Sequence, residues 1–566
     1  MLLNPGTADF AHLDEKSRQL MLKTIAFFEN KGKKKVRQDH LDRVWYADFL
    51  AFVRENQVFA TLLTPPEYAA ENTAARWDTH RNCDFNEILG FYGLAYWYTW
   101  QVSILGLGPI WMSKNNAAKQ KAAQMLREGG IFAFGLSEKA HGADLYSSEM
   151  TLTPLGQGRY VADGGKYYIG NANEAAMVST FGKNSETGDY VFFIADPKHP
   201  NYDLVQNVVA WQSYVAEFSL SGYPVANDDI LAQGREAWDT ALNTVNVGKY
   251  NLGWASIGIC THALYESIQH AANRKLFGRF VTDFPHIRRL FVDAYTRLVA
   301  MRLFAARTAD YIRSASTSDR RYLLYSPIVK MKVTTQGEEV VDLLWDVIAA
   351  RGFEKDMYFE NATQDIRALP KLEGTVHVNM ALIIKFMANY FFNPGSFDEI
   401  SRHDGALHDA FLFNQGPTRG LGAIRFHDYT LAYNSIRLPN IECFKSQIDV
   451  LRTFLQETPP DAKQAKEIDF LLNLGELFTL VAYGQLLIEK AAMDRIADEL
   501  LDQIFDFMVR DFSKFALRVL YHPLATERQV ALCREMIKQP IHNNQRFEAI
   551  WENEVSALKD AYTMAP

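Results

Sequence analysis

The chain of 566 residues is long enough for about three to four ordinary domains, or for one large layered subunit with a sizeable core. Its 59 Lys and Arg against 67 Asp and Glu leave a net charge of −8 with no basic block able to track phosphates, which sets nucleic acid aside as a partner. A composition 48% hydrophobic and 22% charged excludes the disordered and collagen-like classes, and four cysteines no closer than ninety residues make neither a zinc spacing nor a disulfide framework.

The first twenty residues carry Asp9, Asp14 and Glu15 and no apolar run flanked by basic residues, so neither a secretory nor a transit leader is expected and a cytoplasmic setting fits. Residues 88–113 run 26 positions without a charge, the length of a membrane span. Gly106, Gly108 and Pro109 interrupt that run, and Thr99, Gln101 and Ser103 interleave it, so a buried core helix is expected there and no transmembrane span. Helical patterning over about 15–128 stops at Gly129-Gly130. Short β-rich runs follow at 159–162, 166–169, 190–195 and 217–220, the first two divided by Asp163-Gly164 as by a hairpin turn.

Helical periodicity returns at 286–313, 326–350 and 376–392; residues 456–465 (QETPPDAKQA) read as a linker, and an acidic, Leu-rich helical extension lies beyond. The order predicts an α+β subunit in four parts. These are an N-terminal helical domain (1–130), a middle antiparallel β domain (131–236), a helical-bundle domain (237–395), and a connecting segment with the helical extension (396–566).

P-loop, GxGxxG and HExxH motifs are absent, and in 135–139 (GLSEK) Lys139 replaces the glycine that a nucleophile elbow around Ser137 would need. His403 and His408 are five apart, the wrong step for one helical face, while His141 and His377 stand alone; no metal is expected. Four stretches remain: 134–144 (FGLSEKAHGAD), 166–171 (KYYIGN), 274–278 (RKLFG) and Glu373-Gly374-Thr375. Each has a plain reading, as capped turn, strand end, helix end, and a turn whose Thr375 caps the next helix. Together, in this order and spacing, they resemble the acyl-CoA dehydrogenase family over about 15–392, with an extension like that of its very-long-chain and oxidase members.

The resemblance implies a helical domain, a β domain and a C-terminal four-helix domain holding FAD, usually in a homodimer. It places Leu136 and Ser137 at the flavin pyrimidine ring and Tyr168, where the family usually has Trp, beside the isoalloxazine with Ile169 and Gly170 after it. Arg274 and Phe277 fall at the FAD diphosphate and adenosine end across the dimer interface, Asp346 near the adenosine, and Thr375 beside the cofactor. Glu373 matches the base that takes the α-proton of an acyl-CoA while hydride passes from Cβ to the flavin, its own backbone N–H polarising the thioester carbonyl. Gly374, Ala143, Asn246 and Lys249 fall against the acyl-CoA; the position where some members carry the base on an earlier helix is Gly248.

Four positions depart from the family pattern. Gly170 stands for a Thr whose hydroxyl meets flavin N5, Ala143 for a Ser at the pantetheine, Pro285 for a Gln, and 346–350 reads DVIAA in place of Gln-x-x-Gly-Gly. The expected function is α,β-dehydrogenation of an acyl-CoA with electrons passed to an electron-transferring flavoprotein. The rivals are an acyl-CoA oxidase using oxygen and a non-catalytic acyl-CoA- or partner-binding relative. Tyr96, Trp97, Tyr98 and Trp100 line the acyl pocket or fill the core.

Overall fold

In the computed structural model, which describes residues 1–142 and 144–566, the chain divides into two units. The first comprises 8–251, 404–419 and 564–566, the second 1–7, 252–403 and 420–563.

The uncharged stretch of the first unit folds as two helices, Thr79–Tyr92 and Leu94–Met112, parted at Gly93. Every residue from 94 to 111 is buried, so the polar side chains among them must find partners inside the protein. Trp97 and Trp100 both donate their indole N–H to Asn86 Oδ1 (2.7 and 3.1 Å), Asn86 Nδ2 donates to Asn251 Oδ1 (2.8 Å), and Asn251 Nδ2 to Gln101 Oε1 (2.8 Å). Thr99 and Ser103 are used in the same way: Asn171, at the end of a strand, donates Nδ2 to the Thr99 carbonyl (3.0 Å) and to Ser103 Oγ (3.3 Å). The aromatic cluster is therefore core, riveted to the β region by a buried polar network.

Eight strands form one sheet: β1 Phe132–Gly135, β2 Thr151–Gly156, β3 Arg159–Gly170, β4 Met177–Asn184, β5 Tyr190–Ala195, β6 Tyr202–Asn207, β7 Val215–Ala226 and β8 Ile230–Gln233. The order is β6-β7-β3-β2-β4-β5-β8, with β1 also on β4. The sheet is mixed, which corrects the expectation of an antiparallel domain. β1 and β2 share one edge of β4, pairing in parallel with Met177–Thr180 and Lys183–Asn184 respectively, because the chain leaves the sheet after Gly135 and rejoins the same edge further along. The excursion, 136–150, carries the first of the site stretches.

Asp163-Gly164 is not a hairpin turn. β3 runs straight through it against β7 with a register shift between Ala162 and Gly164, and Gly164 (φ 138) passes so close to Met150 that a Cβ would lie 2.9 Å from its Cα. The tight turn falls at Gln157-Gly158, both left-handed (φ 56 and 69).

The second unit is helical. The Pro285–Arg313 helix agrees with its periodicity, but 326–350 does not form one helix: Tyr322–Ile328 passes through a π-turn, Val329–Val333, into Thr334–Ile348. Residues 376–392 likewise divide at the 3₁₀ turn Ile384–Phe386. Nor is 456–465 a loose linker, since Gln464 is buried and its amide donates to the Leu524 carbonyl and to Gln529 Oε1 (2.8 Å each). The extension contributes Pro439–Glu457, Ile468–Asp494 and Asp498–Leu520. Ile468–Asp494 is long and apolar enough to cross a membrane, yet 78% of its apolar window is buried within the protein, as a core helix would be.

Candidate active site

In the first unit the loop after β1 is tied to β3. Ser137 Oγ donates to the Tyr167 carbonyl (2.7 Å) and the Tyr167 N–H to the Ser137 carbonyl (3.0 Å), so the hydroxyl proton is committed and Leu136-Ser137 present themselves to a ligand through backbone and apolar surface. Below them lies an ion pair that motif matching missed. Glu138 Oε1 accepts from the fully buried Lys166 Nζ (2.6 Å), which also donates to the Leu136 carbonyl (3.1 Å). Ser148 Oγ and the Glu149 and Met150 N–H groups complete the carboxylate's shell.

Burial alone would raise the Glu138 carboxyl, but the Lys166 charge and these donors outweigh it and push it down to about 2. His141 does not stand alone, with Nε2 3.1 Å from Glu138 Oε2. Both Glu138 and Lys166 were visible inside named stretches; their pairing across 28 positions was not.

Tyr168 sits at a second β-bulge, where the β3–β7 register skips between Tyr167 and Ile169, and it is left-handed at φ 68. A non-glycine residue in that conformation is costly and persists only where its surroundings hold it. The consequence is an aromatic ring 38% exposed beside an Ile169 that is 2% exposed: the ring is offered to a flat ligand, while Ile169 can contribute only backbone.

Gly170 has a structural reason. A Cβ there would lie 2.6 Å from Tyr98 Cε1 and 2.8 Å from Val102 Cγ2, so Tyr98 occupies the room a Thr would need. We expect Gly170→Thr to destabilise the protein by about 1–3 kcal/mol through overpacking, with the loss reduced in Gly170→Thr/Tyr98→Ala; denaturant unfolding checks it, and a fully stable single variant would refute the crowding. Asn246 and Lys249 share a face of the Gly234–Asn273 helix, the first half-buried and the second buried. Gly248 is spent as a carbonyl acceptor for Gln101 (3.2 Å). Ala143 lies outside the described residues.

In the second unit Glu373 and Gly374 are successive left-handed residues (φ 53 and 88) in the turn between helices Tyr358–Ala368 and Val376–Ile383. Glu373 Oε2 is shut off from solvent. The Gly374 carbonyl accepts from Lys330 Nζ (2.5 Å) and Asn379 Nδ2 (3.1 Å). Thr375 holds the N-cap position and is exposed, but its side chain makes no capping bond, so the capping role expected of it is not realised.

Arg274 leads into the two-stranded hairpin β9 Lys275–Leu276 and β10 Arg279–Phe280. Its turn, Phe277-Gly278, is left-handed at both positions (φ 51 and 77) and holds the Phe277 ring 95% exposed. Asp346 is exposed on the Thr334–Ile348 helix. Four of the twelve left-handed non-glycine residues among those described, Tyr168, Asn171, Phe277 and Glu373, lie in the stretches that the sequence singles out. In the first unit a cavity of about 420 Å³ lined by Trp111, Lys119, Glu236, Asp239, Asn243 and His408 contains none of the residues expected to bind cofactor or substrate.

In the first unit Tyr168 offers an aromatic platform and 136–137 backbone groups, chemistry that suits a flavin ring, and in the second unit Arg274 offers an exposed guanidinium, which suits a diphosphate. Gly170 in the first unit supplies no hydroxyl, and Asp346 in the second carries the same sign of charge as a phosphate.

The family model described as "Acyl-CoA dehydrogenase, C-terminal domain" matches residues 236–388. Among curated proteins, the chain is 23% identical to the caffeyl-CoA reductase-Etf complex subunit CarC of Acetobacterium woodii, over 51% of this chain and 77% of that one. It is 24% identical to the bovine mitochondrial very long-chain specific acyl-CoA dehydrogenase, over 51% and 46%. Among solved structures, an acyl-CoA dehydrogenase from Bacillus anthracis complexed with FAD shares the fold over 99% of this chain and 98% of its own, with a TM-score of 0.76 at 15% identity. Butyryl-CoA dehydrogenase from Megasphaera elsdenii matches over 66% and 98%, with a TM-score of 0.60 at 18% identity.

Proposed function

We propose that the chain, which matches the acyl-CoA dehydrogenase C-terminal family model over residues 236–388, is an FAD-dependent enzyme converting an acyl-CoA thioester to its trans-2-enoyl-CoA, with electrons passed on to an electron-transferring flavoprotein. The observation that carries this reading is Glu373, held in a left-handed turn with one carboxylate oxygen out of solvent. A carboxylate so placed is a positioned base of the kind that α-proton abstraction requires.

Glu373 takes the proton from Cα, and its backbone N–H polarises the thioester carbonyl so that the charge developing on oxygen is stabilised. FAD, when bound, supplies the hydride acceptor for Cβ. Tyr168 presents the ring face, Leu136 and Ser137 the backbone contacts, and Arg274 a diphosphate partner. Phe277 is an aromatic ring left in water by one chain alone, which supports a homodimer in which a second copy covers it. The likeness to a protein named as part of an Etf complex supports the electron acceptor.

The test is anaerobic addition of saturated acyl-CoAs of graded chain length to the FAD-loaded protein. Bleaching of the oxidised flavin bands by one length class is expected, with reoxidation by electron-transferring flavoprotein faster than by oxygen. Faster reoxidation by oxygen would make it an oxidase. A protein that stays colourless with FAD supplied would leave a binding relative, a reading the crowding at Gly170 favours.

A further inference from the structure

We propose that Lys330 is a positioning residue for Glu373, its buried ammonium clamping the turn that carries the base; this rests on the reading of Glu373 given above. Lys330 is 0% exposed. Its Nζ donates to the carbonyls of Pro370 (2.7 Å) and Gly374 (2.5 Å), which bracket Glu373 in the chain. Taking an ammonium out of water is costly unless charge-assisted hydrogen bonds offset it. An apolar side chain would fill that volume without the cost, so what the lysine adds is a fixed geometry for the two carbonyls.

The need for such a clamp is local. Glu373 and Gly374 are both left-handed, and for a glutamate that conformation persists only where the surroundings over-determine it. Anchoring the Gly374 carbonyl fixes the peptide after the base, and Asn379 supports it from the following helix by donating Nδ2 to the Gly374 carbonyl (3.1 Å) and the Thr375 carbonyl (3.0 Å).

Lys330 reaches the turn because it lies in the π-turn Val329–Val333, whose extra residue re-aims side chains relative to a regular helix. The π-turn is itself packed tightly: a Cβ on Gly253 would lie 2.4 Å from Val329 Cγ1. Lys332, two positions on, is turned to another partner, Asp511 Oδ2 at 3.4 Å. The clamp thus belongs to the second unit alone.

The test uses the FAD-loaded full chain and the acyl-CoA that bleaches it best. For Lys330→Met the single-turnover bleaching rate should fall by about 10–100-fold, as a misplacement of about 1 Å at a reacting group does, while the half-saturating substrate concentration changes less than about threefold. Lys330→Gln, which keeps one donor, should fall between, and Asn379→Leu should act in the same direction. Hydrogen exchange of the amides at 371–375 should speed up in Lys330→Met while the remainder of the chain keeps its protection.

Wild-type bleaching together with unchanged exchange in Lys330→Met overturns the proposal, as does a loss confined to substrate affinity. Should Lys330→Met fail to fold, Asn379→Leu decides in its place: unchanged rate and unchanged exchange there also overturn it. If no acyl-CoA bleaches the wild type, the functional reading fails by itself, and the exchange comparison still decides the clamp.

Discussion

A Glu373→Gln protein is expected to keep its flavin and lose acyl-CoA-driven bleaching by about 10²–10⁴-fold, the range that a general base contributes. Glutamine has the shape of glutamate, and the features that hold the turn act on backbone: the Gly374 carbonyl is fixed by Lys330 and Asn379 whichever side chain precedes it. The backbone N–H that polarises the thioester is likewise retained, so substrate binding should change far less than the chemical step. The absorbance spectrum before substrate checks that flavin is retained; stopped-flow bleaching after substrate reads the loss. Unimpaired bleaching would mean that another group takes the α-proton. Gly248, at the alternative position of the base, offers no carboxylate to do so.

The same residue shows how far the sequence can be read. Glu373-Gly374-Thr375 was legible because the three lie side by side, and Tyr168 because it sits in a short aromatic stretch; neither needs knowledge of distant contacts. What holds them was not legible. Lys330 lies 43 positions before Glu373, inside a run whose helical periodicity conceals the π-turn that aims it. Lys166 and Glu138 read as an ordinary strand lysine and loop acid until the sheet brings β3 against the loop that follows β1.

Glycines mislead in a characteristic way. Asp163-Gly164 has the composition of a turn, but glycine serves a bulge equally well, and the strand continues through it. Gly170 read as a lost hydroxyl donor; the structure gives it a second meaning, room taken by Tyr98 of the buried helix. Both are tertiary facts, set by Met150 and Tyr98 and not by the neighbours of the glycines themselves.

Asp511→Ala is expected to destabilise the second unit by about 3–5 kcal/mol, the cost of leaving buried charge without its partner. Asp511 is buried in the Asp498–Leu520 helix of the extension, and Arg297 of the Pro285–Arg313 helix grips both its oxygens (2.9 and 3.0 Å). Lys332 approaches the same carboxylate from the π-turn (3.4 Å). Burial by itself would raise the Asp511 carboxyl, but the charges of Lys332 and Arg297 outweigh it and hold it well below the ordinary 3.8.

A carboxyl lowered on folding stabilises fully above its unfolded pKa and loses that contribution as pH falls through the folded one. The gap between wild type and Asp511→Ala should therefore be constant from about pH 5 to 8 and close only in strong acid. Arg297 keeps Glu339 (2.8 Å), which places the loss toward the lower end of the range, and Asp511→Asn, which keeps the shape without the charge, should be milder still. Denaturant unfolding of the FAD-loaded chain at two pH values reads both effects, and a loss under about 1 kcal/mol would show the pair to be dispensable. Asp511 lies beyond the 236–388 match, yet its partners Arg297 and Lys332 lie within it, and Lys332 shares its π-turn with the lysine that clamps the base. The extension is in this way a wall of the same helical core, and removing it would expose Arg297 and Lys332 together.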